Sequence, residues 1–289
     1  MHQIENDFLK VSVRSFGAEL ISIFNKKTNT EHLWQADKNF WGWHAPVLFP
    51  VVGRCVEDSI IIKGKKYNME KHGFARKSEF ELISQTNNSL LYSLKFSEAT
   101  LALYPYKFEF QIGYRLEENE LVNFYNVINL DNNELLFSLG GHPALAVPFY
   151  ENETYEDYYI EFEKDNNLSR YFIDENGFFN NKKGVVLEDT NQLNLKSDMF
   201  KEDALIFKDL KSRRVSIRSR KHSKYVSVSF ADFNYLGLWA KENASYICVE
   251  PWLGCADTAG KKSDFSEKEG VVSLESKKTF SASFRIGIY

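Results

Sequence analysis

Glu250 is the carboxylate best placed for chemistry, because it lies within a short apolar run, residues 246–254. If the run is extended, side chains alternate between two faces, and Glu250 shares its face with Tyr246, Cys248 and Trp252. We expect the strand to end at the proline that follows Glu250. An acid beside aromatic rings at a strand end is a candidate for acid–base catalysis. The alternatives are a solvated glutamate on an edge strand or a buried one paired with an arginine.

Two histidines lie on turns that contain glycine. His72 precedes a glycine, and His142 stands between two glycines and a proline. Backbone of this kind can approach a ligand closely. Together with Glu250, two imidazoles could carry out proton transfer. Arg54, after a Val-Gly pair, and Asp203 either belong to the same site or form a structural ion pair.

Several other classes of chemistry have no support in the sequence. No glycine-rich nucleotide-binding motif and no G-x-S-x-G nucleophile motif is present. His72, His142 and Glu250 are separated by long gaps and lack the paired spacing of a known metal site, so we predict no metal. The proposed chemistry therefore depends on side chains alone, without a cofactor.

Charge and cysteine content bear on location and partners. The formal net charge of -4 gives no reason to expect nucleic-acid or membrane binding. The sequence shows no signal peptide and no apolar run of about 18 residues, so we expect a cytoplasmic protein. Its three cysteines, Cys55, Cys248 and Cys255, lack metal-ligand spacing and suit free thiols in a reducing compartment. We expect each of them to be dispensable for turnover.

Alternating apolar and polar residues predict an all-β protein. The chain contains 24 Phe, 15 Tyr and 5 Trp, which suit pleated, half-buried surfaces. Residues 107–117 alternate almost perfectly, which indicates an antiparallel sheet with one wet face. The run 236–240 is expected to pair with the Glu250 strand, and 279–289 to form the last strand. Only 97–103 suggests a helical turn, with Ser97 as its N-cap.

Two stretches do not follow the alternating pattern. Residues 40–54 combine aromatic rings with prolines and glycines, and form either a packed loop or the wall of a pocket. Residues 150–194 are polar and rich in tyrosine. There we predict one clear strand, 159–163, with hairpins and loops around it.

Short motifs spread over most of the chain resemble the aldose 1-epimerase (galactose mutarotase-like) family. They are Val52-Gly53-Arg54, His72-Gly73-Phe74-Ala75-Arg76, Gly140-Gly141-His142-Pro143 and Glu250-Pro251-Trp252, in this order. Residues 263–265 and 268–270 resemble its LacX-like bacterial branch. The resemblance implies a large antiparallel β-supersandwich, a single domain over residues 1–289, whose concave face holds a sugar.

The resemblance also implies a reaction and its residues. That reaction is mutarotation, the exchange of α and β anomers through the open-chain aldehyde. Glu250 resembles the base that takes the C1 hydroxyl proton, and His142 resembles the acid that protonates the ring oxygen. Neither a metal nor a redox cofactor is implied. The expected partner is a small-molecule sugar or sugar phosphate.

Other residues resemble the family's substrate-binding groups. His72 and Arg54 correspond to contacts with sugar hydroxyls and the ring oxygen, and Trp252 lies beside the base. Asp203 resembles the acidic hydroxyl binder, although the family often has histidine after this aspartate and this chain has alanine. Arg76 resembles an arginine that holds the phosphate in relatives acting on hexose 6-phosphates. Its alternative role is a salt bridge with a neighbouring glutamate, Glu70 or Glu79.

Two other functions fit the same fold. A β-sandwich that binds sugar without converting it, as a sensor or regulator does, would present similar aromatic walls and hydroxyl contacts. A structural sandwich domain of the kind attached to polysaccharide-active enzymes is the third possibility. Only a catalyst requires Glu250 and His142 to face each other, so their geometry separates these functions.

Overall fold

The structure, a computed structural model, describes residues 1–289 and consists mainly of antiparallel strands. The first thirteen strands are β1 (His2–Glu5), β2 (Leu9–Arg14), β3 (Glu19–Asn25), β4 (Thr30–Glu31), β5 (Val47–Leu48), β6 (Ser59–Ile62), β7 (Lys65–Asn68), β8 (Glu81–Gln85), β9 (Ser89–Lys95), β10 (Phe108–Glu117), β11 (Glu120–Asn129), β12 (Leu135–Phe137) and β13 (Leu139–Gly141). The remaining twelve are β14 (Ala144–Ala146), β15 (Tyr158–Phe162), β16 (Leu168–Ile173), β17 (Phe179–Leu187), β18 (Gln192–Asn194), β19 (Leu205–Phe207), β20 (Arg214–Ser219), β21 (Tyr225–Ser229), β22 (Tyr235–Trp239), β23 (Tyr246–Leu253), β24 (Val272–Leu274) and β25 (Thr279–Ile288).

Helix is confined to short segments. The α-helix α1 (Glu98–Leu103) is accompanied by four 3₁₀ turns, Val56–Asp58, Ala75–Lys77, Tyr155–Asp157 and Phe265–Glu267. As predicted, Ser97 caps α1: its hydroxyl accepts the Thr100 N–H at 3.3 Å. None of these helices has the length and apolar character needed to cross a lipid bilayer.

Two large sheets form the body of the protein. The first has nine strands in the order β18-β15-β20-β21-β25-β11-β10-β9-β8. The second has the order β17-β16-β19-β22-β23-β13-β5, with β14 also paired to β23. Aromatic side chains join the sheets: Phe162 on β15 meets Phe207 on β19 edge to face, with ring centroids 5.7 Å apart. The sheets therefore pack face to face, and the expected antiparallel β-sandwich is confirmed.

Individual predicted strands are also confirmed. The alternating run 107–117 forms β10 in the first sheet, and β22, from the run 236–240, pairs with β23 as predicted. One cluster of 69 buried side chains extends from Ile4 to Ile288. We propose on this basis that residues 1–289 form a single domain.

Between residues 150 and 194 the structure contains more strand than the sequence predicted. Besides β15, the chain forms β16, β17 and β18. The middle of β17, Asn181–Lys183, is exposed and polar, so neither face of the strand carries an apolar signal there. Backbone pairing with β16 forms the strand instead. Propensity and alternation therefore underestimate strands at the rim of a sheet.

The strand that carries Glu250 does not end at Pro251, as we had expected. β23 continues to Leu253. On one side, its pairing with β14 ends at Cys248 and its pairing with β13 begins at Trp252. Pro251 lies between these two partners, where the missing N–H is tolerated. The strand can therefore contain a proline while remaining fully buried.

One buried histidine makes folding stability depend on pH. His32 is 4% exposed, neither ring nitrogen has a hydrogen-bond partner, and its ring packs edge to face on Phe149. Burial, and to a smaller extent the charge of Lys224, lowers the pKa of His32 from 6.5 to about 4. Because the unfolded chain then binds the proton more readily, His32 contributes stability that is present above pH 6.5 and lost as the pH falls toward 4.

Replacing His32 with leucine is expected to reduce this pH dependence. The wild type should lose up to about 3 kcal/mol more stability than His32→Leu across this interval. Denaturant unfolding at several pH values measures the difference. Comparison well above pH 6.5 separates the packing effect from the protonation effect. Parallel stability curves for the two proteins would contradict the assignment.

Candidate active site

A cavity of about 220 Å³ opens on the face of the second sheet. It is bounded by β22 and β23, by the turns that carry His72 and His142, and by the loop before β5. Its lining residues are Trp41, Gly53, Lys71, His72, Arg76, His142, Ile173, Gly177, Asp203, Ala204, Ile206, Trp239, Glu250, Trp252 and Ala256. Aromatic walls with a few converging polar groups are typical of a small-molecule site.

Strand pairing brings Glu250 and His142 together. Glu250 lies on β23 opposite Gly237 of β22. β13 and β14 pair with the other edge of β23 at different positions along the strand, β14 up to Cys248 and β13 from Trp252. The short connection between β13 and β14 contains His142 and lies beside Glu250. His142 Nε2 lies 3.2 Å from Glu250 Oε2, with side chains 11% and 2% exposed. The contact does not complete a hydrogen bond, since Oε2 has no partner of suitable geometry. Both groups can therefore accept new partners.

Burial controls the charge of this pair. It raises the pKa of Glu250 well above 4.5, against the opposing effects of the Lys71 charge and the Trp252 N–H. It also lowers the pKa of His142 below 6.5, and the charges of Lys71 and Arg76 add to that shift. A buried carboxyl and imidazole at this distance can hold one proton between them, and burial favours the neutral arrangement, in which that proton lies on Glu250.

His72 is fixed as a hydrogen-bond donor to the cavity. The Gly53 N–H donates to His72 Nδ1 at 3.2 Å, which leaves the remaining proton on Nε2 of the neutral ring. Burial lowers the pKa of His72 well below 6.5, so the neutral form prevails. Its ring stands edge-on to His142, with centroids 5.9 Å apart. An N–H held this way suits a hydroxyl or ring oxygen.

The turn at His72 requires an unusual backbone. His72 and Gly73 have φ of 69° and 71°. A Cβ on Gly73 would lie 2.2 Å from the Phe49 carbonyl oxygen, so only glycine allows this approach. The strained turn fixes His72 against the Gly53 loop, as the His-Gly pair in the sequence had suggested.

Three tryptophans form the walls. Trp41 stacks on His142 with ring centroids 4.9 Å apart, and Trp239 meets the same imidazole edge to face at 6.1 Å. Trp252 lies against Gly140 and Gly237, where an added Cβ would come within 2.7 Å and 2.6 Å of its indole. Glycines on both neighbouring strands therefore make room for Trp252. Flat apolar walls match the C–H faces of a sugar ring.

Arg54 lies beside the cavity, where its guanidinium donates to the carbonyl of Asn176, the neighbour of the cavity-lining Gly177; its predicted contact with sugar stays a prediction. Its guanidinium binds Asp58 with two hydrogen bonds of 2.7 Å and 2.8 Å. Arg54 is not among the cavity-lining residues, whereas the preceding Gly53 is. The pairing of Arg54 with Asp203 that we considered is also absent. Because Asp58 lies one turn further along the chain, a local ion pair fixes this arginine.

Asp203 and Arg76 do line the cavity. Asp203 has φ of 65° and accepts the Ala204 N–H on Oδ1 at 2.7 Å. Arg76 forms no salt bridge with Glu70 or Glu79; Glu70 pairs with Lys77 instead. The half-buried Arg76 donates to the Lys71 carbonyl at 2.8 Å, and its Nε has no partner. An arginine without a counter-ion at a cavity wall is available to an anionic group.

Comparisons with known sequences and structures identify the family of this chain. The sequence profile of the family described as aldose 1-epimerase matches residues 1–264. The chain belongs to the aldose 1-epimerase family. It is 33% identical to the plasmid-encoded protein LacX of Lactococcus lactis, over 99% of this chain and 98% of that protein.

Solved structures of relatives share the fold of this aldose 1-epimerase family member. A galactose mutarotase related enzyme from Lactobacillus acidophilus superimposes with a TM-score of 0.94 at 35% identity, covering 100% of this chain and 97% of the other. A galactose mutarotase-like protein from Lactobacillus casei gives a TM-score of 0.94 at 30% identity, covering 100% of both chains. The expected galactose mutarotase-like fold is therefore confirmed.

Sequence reasoning missed three residues of the site. Trp41 and Trp239 form walls, and Lys71 lines the mouth. Two signals were available: Trp41 falls in the aromatic segment that we considered as a pocket wall, and Lys71 directly precedes His72. Trp239 becomes visible only through the β22–β23 register, which places it opposite Cys248.

Proposed function

We propose that this protein is a mutarotase that interconverts the α and β anomers of a hexose or a hexose 6-phosphate by acid–base ring opening. The observation that supports it is the contact of 3.2 Å between His142 Nε2 and Glu250 Oε2 at a cavity wall. Burying ionisable groups opposes folding, so an acid and a base buried side by side require a function that uses both. Catalysis of ring opening uses both groups, whereas sugar binding alone does not.

Ring opening starts from the arrangement of the pair in which Glu250 is a carboxylate and the proton lies on His142, which burial disfavours before the sugar reacts. Glu250 takes the proton from the C1 hydroxyl, the bond between C1 and the ring oxygen breaks, and the electron pair stays on that oxygen. His142 gives its proton to it, which yields the open-chain aldehyde. Glu250 is then protonated and His142 neutral, the arrangement that burial favours.

Ring closure reverses these transfers. After rotation about the C1–C2 bond, the hydroxyl that carried the ring oxygen returns its proton to His142 and attacks the other face of C1. Glu250 gives its proton to the carbonyl oxygen. The starting protonation of the pair is restored, and each positioned group contributes about 10²–10⁴-fold.

The remaining cavity groups would orient the sugar. The His72 Nε2–H donates to a hydroxyl or ring oxygen, and the Asp203 carboxylate accepts from a hydroxyl. Trp41 and Trp252 cover the apolar ring faces. Holding the sugar with its C1 edge toward Glu250 and His142 lowers the entropic cost of reaction.

The substrate class depends on the free cation at the wall. Arg76, next to Lys71, supports a hexose 6-phosphate, because a guanidinium fork suits phosphate oxygens. All three cysteines are buried and unpaired. Free thiols fit a reducing compartment, and we propose that the protein is located in the cytoplasm, where sugar phosphates occur.

Polarimetry tests the proposal directly. Single anomers of free and 6-phosphorylated hexoses are dissolved, and the approach to anomeric equilibrium is followed with and without protein. We expect an increased rate, after subtraction of spontaneous mutarotation, for at least one sugar. If sugars bind by calorimetry yet none is converted faster than in buffer, the protein is a sugar-binding module and the catalytic proposal fails.

A further inference from the structure

We infer that His142, Cys248 and Glu250 form a binding site for Zn²⁺ or a similar borderline-soft divalent cation, and that this metal blocks the acid–base pair. The metal site itself is independent of the proposed reaction. Only its consequence, inhibition, rests on the proposed function.

The geometry brings three ligand atoms together. Nδ1 or Nε2 of His142, Sγ of Cys248 and a carboxylate oxygen of Glu250 lie within 4.8 Å of one another. Three points so spaced have a common centre at most about 2.8 Å from each, whereas Zn²⁺ prefers about 2.0–2.3 Å. Side-chain movements of at most about 0.5–0.8 Å would therefore complete the coordination.

Strand register explains this proximity. Cys248 and Glu250 are two residues apart on β23, so their side chains point to the same face of the strand. Cys248 is opposite Ala144 of β14, and Ala144 comes two residues after His142 in the sequence. The long sequence gap between His142 and the other two residues concealed this relation, and our prediction that no metal site exists rested on that gap.

The donor set is selective. Thiolate, imidazole and carboxylate are the groups that bind Zn²⁺, while Mg²⁺ and Ca²⁺ prefer sets made of oxygen atoms. All three residues are buried, and Oε2 of Glu250 has no hydrogen-bond partner in the protein. A water molecule from the cavity would supply the fourth ligand. On binding, the Cys248 thiol and the His142–Glu250 pair each release one proton to solvent, so that thiolate, neutral imidazole and carboxylate become the ligands.

Metal binding would remove both catalytic functions at once. A metal on His142 and Glu250 occupies the lone pairs that receive protons during ring opening and closure. It would also occupy the space needed by the C1 edge of the sugar. Inhibition should therefore be competitive with sugar and be reversed by a chelator.

Cobalt spectroscopy tests the site without using activity. Co²⁺ replaces Zn²⁺ in such sites, and a thiolate ligand gives it a ligand-to-metal charge-transfer band. We expect this band in the wild type and its loss in Cys248→Ala and in the isosteric Cys248→Ser. Cys255→Ala is the matched control, since Cys255 is equally buried but outside the cluster, and should keep the band. An absent band in the folded wild type, or a band that persists in both Cys248 variants, would overturn the site.

Inhibition is tested separately. On a sugar that the wild type converts, Zn²⁺ should abolish at least about nine-tenths of the catalysed rate, and Mg²⁺ should not. Cys248→Ala should retain activity within a few-fold and need at least about tenfold more Zn²⁺ for the same inhibition. Equal sensitivity of both proteins would overturn the inference. If no sugar is converted, the proposed function fails, while the cobalt result still decides the metal site.

Discussion

Glu250→Gln is expected to lower the catalysed mutarotation rate by about 100-fold or more while sugar binding survives. The amide keeps the shape of the side chain but cannot take the C1 hydroxyl proton. Polarimetry gives the rate and calorimetry gives the affinity. Glu242→Gln is the matched control: Glu242 is exposed on the turn of the same β22–β23 hairpin, and its loss should leave both quantities unchanged.

Replacing His142 shows whether the two residues act as one unit. His142→Asn should reduce the rate by a similar factor, because the ring oxygen then lacks its acid. The double variant should lose much less than the product of the two single losses, since neither proton transfer is useful without the other. Multiplicative losses, or a Glu250→Gln protein as active as the wild type, would contradict the acid–base assignment.

Arg76→Ala is expected to raise KM for a hexose 6-phosphate by about 10- to 100-fold and to change KM for the free hexose little. A charge-assisted contact of a partly buried guanidinium contributes about 1.5–3 kcal/mol. The structure supports this effect because Arg76 lines the cavity without an acidic partner. Steady-state kinetics on both sugars measure it.

Arg54→Ala is the control for this prediction. Arg54 carries the same charge nearby in sequence, but its guanidinium binds Asp58 and is not among the groups that line the cavity. It should leave the ratio of the two KM values unchanged. If Arg76→Ala affects phosphorylated and free sugar equally, Arg76 has a structural role and the 6-phosphate is held elsewhere.

The sequence predicted most strands of this fold because a half-buried antiparallel strand alternates visibly. β10 and the β22–β23 pair are examples. It failed where both faces of a strand are polar, as in the middle of β17, or where a proline lies at a change of partner, as at Pro251. Both strands are formed by hydrogen bonding to neighbouring strands. The sequence of one strand alone does not show which neighbours it will have.

The site was predictable in its residue types and less so in its geometry. Glycine turns indicated His72 and His142, and an apolar strand indicated Glu250. The direction of a long side chain was not predictable: Arg54 and Arg76 carry the same group, yet only Arg76 lines the cavity. Arg54 is held by an ion pair with Asp58, whereas Arg76 has no acidic partner. Sequence spacing alone does not show which acid an arginine will pair with.

The position of β25 has a consequence for protein synthesis. This strand, residues 279–288, lies in the middle of the nine-stranded sheet, between β21 and β11. Chains leave the ribosome from the N-terminus at about 5–20 residues per second, so the strands on both sides emerge before the one that joins them. Until then two separate ribbons expose unpaired edges, on which neighbouring nascent chains can pair. The yield of folded protein should therefore depend on how quickly β25 follows β21 out of the ribosome.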